Sequence, residues 1–158
     1  MSLSDSPLLH IALIEPEIPP NTGNVARLCA ANHLALHLVG KLGFSIADRD
    51  LRRAGLDYWE AVDLRLVADP EALRRSLPAV RFFLFSARAE RPYTEARYRA
   101  GDCLVFGPES SGLPGELLRA GWGEALRIPM RSDRVRSLNL STAVGIAAYE
   151  ALRQLGGG

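Results

Sequence analysis

Phe106-Gly-Pro-Glu-Ser-Ser-Gly-Leu-Pro114 is the stretch on which the reading of this chain turns. It follows the apolar run Asp102–Phe106 and sets Gly107 and Gly112 in a Gly-x-x-x-x-Gly spacing, the spacing of a phosphate-binding loop that leaves a strand. A Walker loop continues with Lys and then Ser or Thr, which grip phosphates and magnesium. Here Leu113 and Pro114 follow instead. A nucleotide handled by this loop is therefore not expected to be held by its phosphates.

Outward from that strand and loop, five further short apolar runs read as strands: Leu8–Ile14, Ala35–Gly40, Asp63–Val67, Val80–Ser86 and Ala125–Ile128. Their length, β-branched and aromatic content and flanking breakers favour strand over helix. Helical patterns lie between several of them. Asn21 and Thr22 are candidate caps for a helix carrying Val25, Leu28 and Cys29 on one face. Pro70–Leu77 and Pro114–Ala120 each open with proline in the first turn, where it is tolerated. The last helix is the clearest: Leu140, Ala143, Val144, Ala147, Ala148, Ala151, Leu152 and Leu155 follow the i, i+3, i+4, i+7 pattern without a break. The Gly156–Gly158 tail ends it. Strands alternating with helices predict an α/β fold with a mainly parallel sheet flanked by helices. At 158 residues one domain spanning 1–158 is expected, with residues 1–7 and 156–158 as flexible ends.

The composition narrows the function. No apolar run reaches 18 residues, and Met1–Pro7 has neither a basic nor an apolar region, so no membrane span or secretory signal is expected. Cys29 and Cys103 stand apart in apolar segments and read as buried free thiols of a cytoplasmic protein. His10, His33 and His37 lack ligand spacing, and no metal site is expected. Of the 19 basic residues only Lys41 is a lysine. Arginines cluster at Arg49, Arg52 and Arg53, and again at Arg127, Arg131, Arg134 and Arg136. Planar guanidinium groups suit phosphate and stacked bases, although a solvated face alone accounts for the first cluster equally well.

Ligands of such a sheet sit beyond the carboxyl ends of the strands. Three polar loops leave strands there: Glu15–Asn24, Gly107–Pro114 and Pro129–Ser137. In the first, Asn21, Asn24 and Arg27 are spaced by three and sweep one side of a helix's opening turns. Asn21 is read there either as a cap or as a ligand. After the third, Ser137 or Asn139 suffices as a cap, yet Ser137, Asn139 and Ser141 are all present, a surplus that makes a polar pocket. No nucleophile elbow, no His-Glu-x-x-His and no dinucleotide fingerprint occurs. Any chemistry at these loops is therefore expected to need no covalent intermediate and no metal.

Asn-x-x-Asn-x-x-Arg, Phe-Gly-Pro-Glu-x-x-Gly-Leu-Pro and Ile-Pro-Met followed by Ser-Leu-Asn-Leu-Ser-x-Ala-Val together resemble the three motifs of the SPOUT superfamily of RNA methyltransferases. The match resembles most the small tRNA (cytidine/uridine) 2′-O-methyltransferases of the wobble ribose. Glu15–Asn24, Leu51–Tyr58 and Tyr149–Leu155 fit that type as well, so the resemblance runs from Leu8 to Leu155. It implies a deep C-terminal trefoil knot, which the rarity of threaded chains would have excluded. It also implies a homodimer and S-adenosylmethionine as methyl donor, with S-adenosylhomocysteine as product. That cofactor carries no phosphate, which accounts for the missing lysine.

By the same resemblance, Phe85, Gly107, Ile128, Met130 and Ser137 would bind the cofactor. Arg27 would act on the 2′-hydroxyl, with Asn24, Glu109, Ser137 and Asn139 shaping the site. Glu109 would pair with Arg27 or steer the cofactor's charge. Tyr149 is read as core or dimer packing. With no separate RNA-binding domain, Lys41, Arg52, Arg53, Arg131, Arg134 and Arg136 are the candidate tRNA contacts. The segment Ser86–Pro92 and the Arg131–Arg136 loop depart from the family pattern. The alternatives are ribose methylation at another tRNA or rRNA position, and a non-catalytic RNA-binding module of the same fold.

Overall fold

The computed structural model describes residues 6–47 and 56–156. Its framework is a six-stranded sheet, every pairing parallel, in the order β3-β2-β1-β5-β4-β6. The strands are β1 Leu9–Ile14, β2 Leu34–Val39, β3 Asp63–Val67, β4 Phe82–Phe85, β5 Cys103–Phe106 and β6 Gly123–Leu126. Among the described residues the α-helices are α1 Pro19–Asn32, α2 Pro70–Ser76, α3 Gly115–Leu118 and α4 Leu140–Gln154. Every residue of β1, β2, β4 and β5 is buried, as continuous apolar runs require when helices cover both faces of a parallel sheet. Among the described residues no helix is long and apolar enough to cross a membrane.

The alternation along each strand sorts the core into two layers. Leu9, Ile11 and Leu13 of β1 share one face with Leu36, Leu38, Leu104 and Phe106, and that face packs against α1 and α4. Ala12 and Ile14 point the other way, with Val39, Leu84 and Val105, towards Leu73 and Leu77 at α2 and Leu117 of α3. On α4 the expected stripe holds: Leu140, Val144, Ala147, Ala148, Ala151 and Leu152 are buried. Three alanines in that stripe let α4 lie close against α1 and β5. Gly156, at φ 80°, then supplies the left-handed residue that stops the helix. Cys29 and Cys103 are free and buried, and burial pushes both thiols up.

Three sequence expectations shift. The helix expected to be capped by Asn21 or Thr22 begins earlier, at Pro19, with Ile18 at its N-cap and no capping side chain of its own. Prolines at both opening positions carry no N–H and already suit the helical φ, so fewer donors need a cap. Pro114 sits just before α3 rather than within its first turn. Expected over Ala125–Ile128, the last strand runs from Gly123 to Leu126. Gly123 belongs to it because a Cβ there would lie 1.9 Å from the Phe82 carbonyl oxygen of β4. At Arg127 the chain changes partners, its N–H donating to the Arg91 carbonyl (2.8 Å) and its own carbonyl accepting from Tyr93 N–H (2.9 Å).

The strand order decides where a ligand can sit. From β1 the chain moves outward through β2 to β3, while β5 and β4 lie on the other side of β1. The winding therefore reverses between β1 and β5, and a crevice opens beyond their carboxyl ends. The loops that leave those two strands are Glu15–Ile18 and Gly107–Pro114.

Candidate active site

At the carboxyl ends of β4, β5 and β6 lies a cavity of about 640 Å³. The stacked rings of Phe85 and Phe106, with centroids 4.7 Å apart, lie on its strand side. Gly107–Gly112 forms one wall, and Ile128, Met130 and Arg136–Leu140 form another. The glycine loop folds tightly on itself. Gly112, at φ 70°, donates its N–H to the Pro108 carbonyl at 2.8 Å. A Cβ on Gly107 would stand 2.3 Å from the Gly112 carbonyl carbon and the Leu113 nitrogen. Glycine at 107, together with the left-handed Gly112, thus lets this loop close.

The first loop meets the other two through a chain of hydrogen bonds. Both oxygens of Glu109 are engaged: Oε1 accepts from Glu17 N–H (2.8 Å), and Oε2 accepts from Ile18 N–H (3.0 Å) and Asn21 Nδ2 (3.2 Å). A carboxylate from a distant loop thereby serves the start of α1, where the helix dipole favours negative charge. Asn21 Oδ1 then accepts from Asn139 Nδ2 at 3.0 Å. Asn139 Oδ1 in turn accepts from Thr142 N–H (3.2 Å) and Ser141 Oγ (2.7 Å), which makes Asn139 the cap of α4. Glu109, Asn21 and Asn139 therefore tie the three loops and the N-termini of two helices into one polar frame at the cavity edge.

Of the residues singled out in the sequence, Phe85, Gly107, Glu109, Ile128, Met130, Arg136, Ser137 and Asn139 all line this cavity. Asn24 and Arg27 are exposed on α1 and are not among its lining residues. Glu109 faces the amides of the first loop. Lys41, Arg131 and Arg134 are exposed on loops, while Arg49, Arg52 and Arg53 lie outside the described residues. Tyr149 is half-exposed on α4, and its hydroxyl accepts from Asn32 Nδ2 of α1 at 3.2 Å.

Sequence reasoning leaves one lining residue open and assigns no site role to several others. Asn21, only 6% exposed, is the centre of the frame. Its signal was present in the Asn-x-x-Asn-x-x-Arg spacing, but a cap explained it equally well. Ser86 and Arg88, in the segment that departs from the family pattern, also line the cavity. Among the described residues no group of three or more His, Cys, Asp or Glu side chains is placed to hold a metal. An aromatic and aliphatic interior, with a glycine loop on one wall and Ile128 and Met130 on another, can take a flat heterocycle such as a nucleoside.

Comparison with known proteins agrees with this geometry. The model of the SpoU rRNA methylase family matches residues 8–149. The tRNA (cytidine(34)-2′-O)-methyltransferase of Yersinia pestis is 47% identical over 156 residues, covering 94% of this chain and 95% of that one. A solved structure described as giving insight into the 2-OH methylation of C/U34 on tRNA superposes with a TM-score of 0.90. It is 55% identical over 95% of this chain and 97% of its own. An AdoMet-bound rRNA methyltransferase from Sinorhizobium meliloti, 28% identical, superposes with a TM-score of 0.84 over 98% of this chain and 61% of its own. The chain belongs to the SpoU rRNA methylase family.

Proposed function

We propose that this protein is a tRNA 2′-O-methyltransferase that acts on the ribose of nucleotide 34, a cytidine or uridine, with S-adenosylmethionine as donor. The observation that carries the proposal is the single cavity where all three motif loops converge, on a chain nearly half identical to a relative named for that reaction. Bound beside Phe85, Ile128 and Met130, the sulfonium cofactor would supply an activated methyl group for the ribose 2′-oxygen, whose proton would pass to solvent. What remains for the protein is alignment and charge stabilisation.

Phe85, Ile128 and Met130 hold the adenosine, and Gly107 allows close backbone approach. Ser137 and Asn139 shape the polar side of the cavity. Glu109 acts as an orienting group whose oxygens hold the start of α1. Arg27 offers a planar guanidinium that stabilises the developing alkoxide or anchors the adjacent phosphate. Asn24 sits one turn before it on the same exposed side. Because both lie outside the lining of the cavity in their own chain, a homodimer that presents Asn24 and Arg27 of one protomer to the cavity of the other completes the site. The half-exposed Tyr149 and Ile18 are apolar surface available to that interface.

Lys41, Arg131, Arg134 and Arg136 contact the tRNA backbone, joined by Arg52 and Arg53. The C-terminal trefoil knot and a cytoplasmic, single-domain enzyme belong to the same reading. The return of α4 from the β6 edge to the middle of the sheet supports the knot. The test is methylation of a tRNA pool in vitro, followed by mapping of the modified ribose. Label confined to nucleotide 34 is the expected result. Label at another position, or none from a protein that binds the cofactor, overturns it.

A further inference from the structure

We infer that Glu17 is a positioning residue for the cofactor-binding wall, through a reciprocal exchange of carboxylates between the first and second loops; this rests on the methyltransferase reading. Glu17 does not line the cavity, whereas Ser110 does. The Glu17 carboxylate accepts both donors of that serine, the N–H at Oε1 (2.9 Å) and the Oγ hydroxyl at Oε2 (2.9 Å). In return, the N–H groups of Glu17 and Ile18 donate to the Glu109 carboxylate. Two consecutive residues of one loop are thus bound to two consecutive residues of the other, across the crevice where the sheet reverses its winding.

The anchor side of this clasp is held in place. Glu15, just before it, has φ 46°, a left-handed conformation that a non-glycine residue keeps only where its surroundings enforce it. Its N–H donates to the Val39 carbonyl at 2.8 Å. Gly43 donates to the Pro16 carbonyl (2.9 Å) and packs so tightly that an added Cβ would lie 2.9 Å from Glu17 Cα. The cavity side is internally stiff, because Gly107 rests on the Gly112 backbone. The 107–112 loop is thereby tied to itself, and the clasp fixes where it stands.

The clasp is exposed, so water competes for its hydrogen bonds and its loss costs little global stability. It acts instead on the fraction of molecules whose wall is in the binding-competent position, and apparent affinity falls in proportion to that fraction. Glu17→Ala is expected to raise the Kd and KM for S-adenosylmethionine about tenfold, while kcat at saturating cofactor stays within about twofold. The melting midpoint should move by no more than about 2 °C. Ser110→Ala should reproduce part of the loss, and the double variant should be no weaker than Glu17→Ala alone. Glu17→Gln, which keeps one acceptor, should fall between wild type and Glu17→Ala.

Calorimetric titration of the full chain with S-adenosylmethionine, paired with initial rates on tRNA, reads all of these. Unchanged affinity in Glu17→Ala, additive effects in the double variant, or an affinity loss matched by a large fall in melting midpoint would overturn the inference alone. Failure of the wild-type protein to bind S-adenosylmethionine would instead overturn the functional reading on which it rests.

Discussion

Asn21 and His37 are both buried polar side chains, and they behave in opposite ways. Asn21, at the carboxyl end of the sheet, uses its oxygen and its nitrogen, and each bond reaches a different loop. His37 lies in the interior of β2. Its Nε2 is 2.9 Å from Nδ1 of His10, while its own Nδ1 is buried without a partner. Burial first, then His10 and Arg65, lowers His37 to a pKa of about 4. Burial, then Arg65, does the same to His10. A satisfied polar group at the loop end specifies geometry, whereas a half-satisfied one within a strand is tolerated only while it is neutral. The molecule thus keeps its site-building polarity at one end of the sheet and carries a pH liability in its core.

The comparison can be broken at several points. The largest effect should come from the loop end: Arg27→Ala is expected to lower kcat by about 10²–10³ while cofactor binding persists. Full methyl transfer by that variant in a saturating tRNA assay would remove Arg27 from the chemistry. Asn21→Ala strands the amide of Asn139 and one bond of Glu109. It should cost about 1–3 kcal/mol in denaturant unfolding and weaken cofactor binding at least tenfold, about 1.4 kcal/mol. An Asn21→Ala protein with wild-type affinity would show that the frame merely decorates the cavity. Gly107→Ala should lose about 1–3 kcal/mol and most cofactor affinity, since its methyl has backbone on the far side.

At the other end, the sign follows from both histidines having folded pKa values below the unfolded 6.5. Between pH 6.5 and 4 the unfolded chain binds more protons, so stability is full above about 6.5 and falls as the pH drops towards 4. A progressive loss of stability over that window is expected, and replacing both residues, His10→Leu with His37→Leu, should flatten it. Denaturant midpoints at pH 4.5 and 7 that shift equally in wild type and double variant would contradict this. The smallest effect belongs to the exposed loop arginines. Arg134→Ala should reduce the slope of log affinity for tRNA against log salt by about 0.7–0.9, with cofactor binding unaffected.

Much of this architecture is legible in the sequence. Six apolar runs correspond to the six strands, and the unbroken stripe from Leu140 to Leu152 is the buried face of α4. Glycine spacing, the absent lysine and the surplus polar groups before α4 marked the loops that line the cavity. Local pattern suffices there because strand burial and helix periodicity are properties of neighbouring residues. The start of β6 was missed for a reason that periodicity does not encode: Gly123 is small because the Phe82 backbone lies against it.

The sequence by itself therefore determined the element types and the three loops that line the cavity. Only the tertiary structure decided which residues act together. Asn21 looked like a local cap, yet its partners Glu109 and Asn139 are 88 and 118 residues away. The order of strands, with β5 laid beside β1, is what brings those segments within hydrogen-bonding distance. Hydrogen bonds are decided by distances of about 3 Å in space, and a sequence records only distance along the chain.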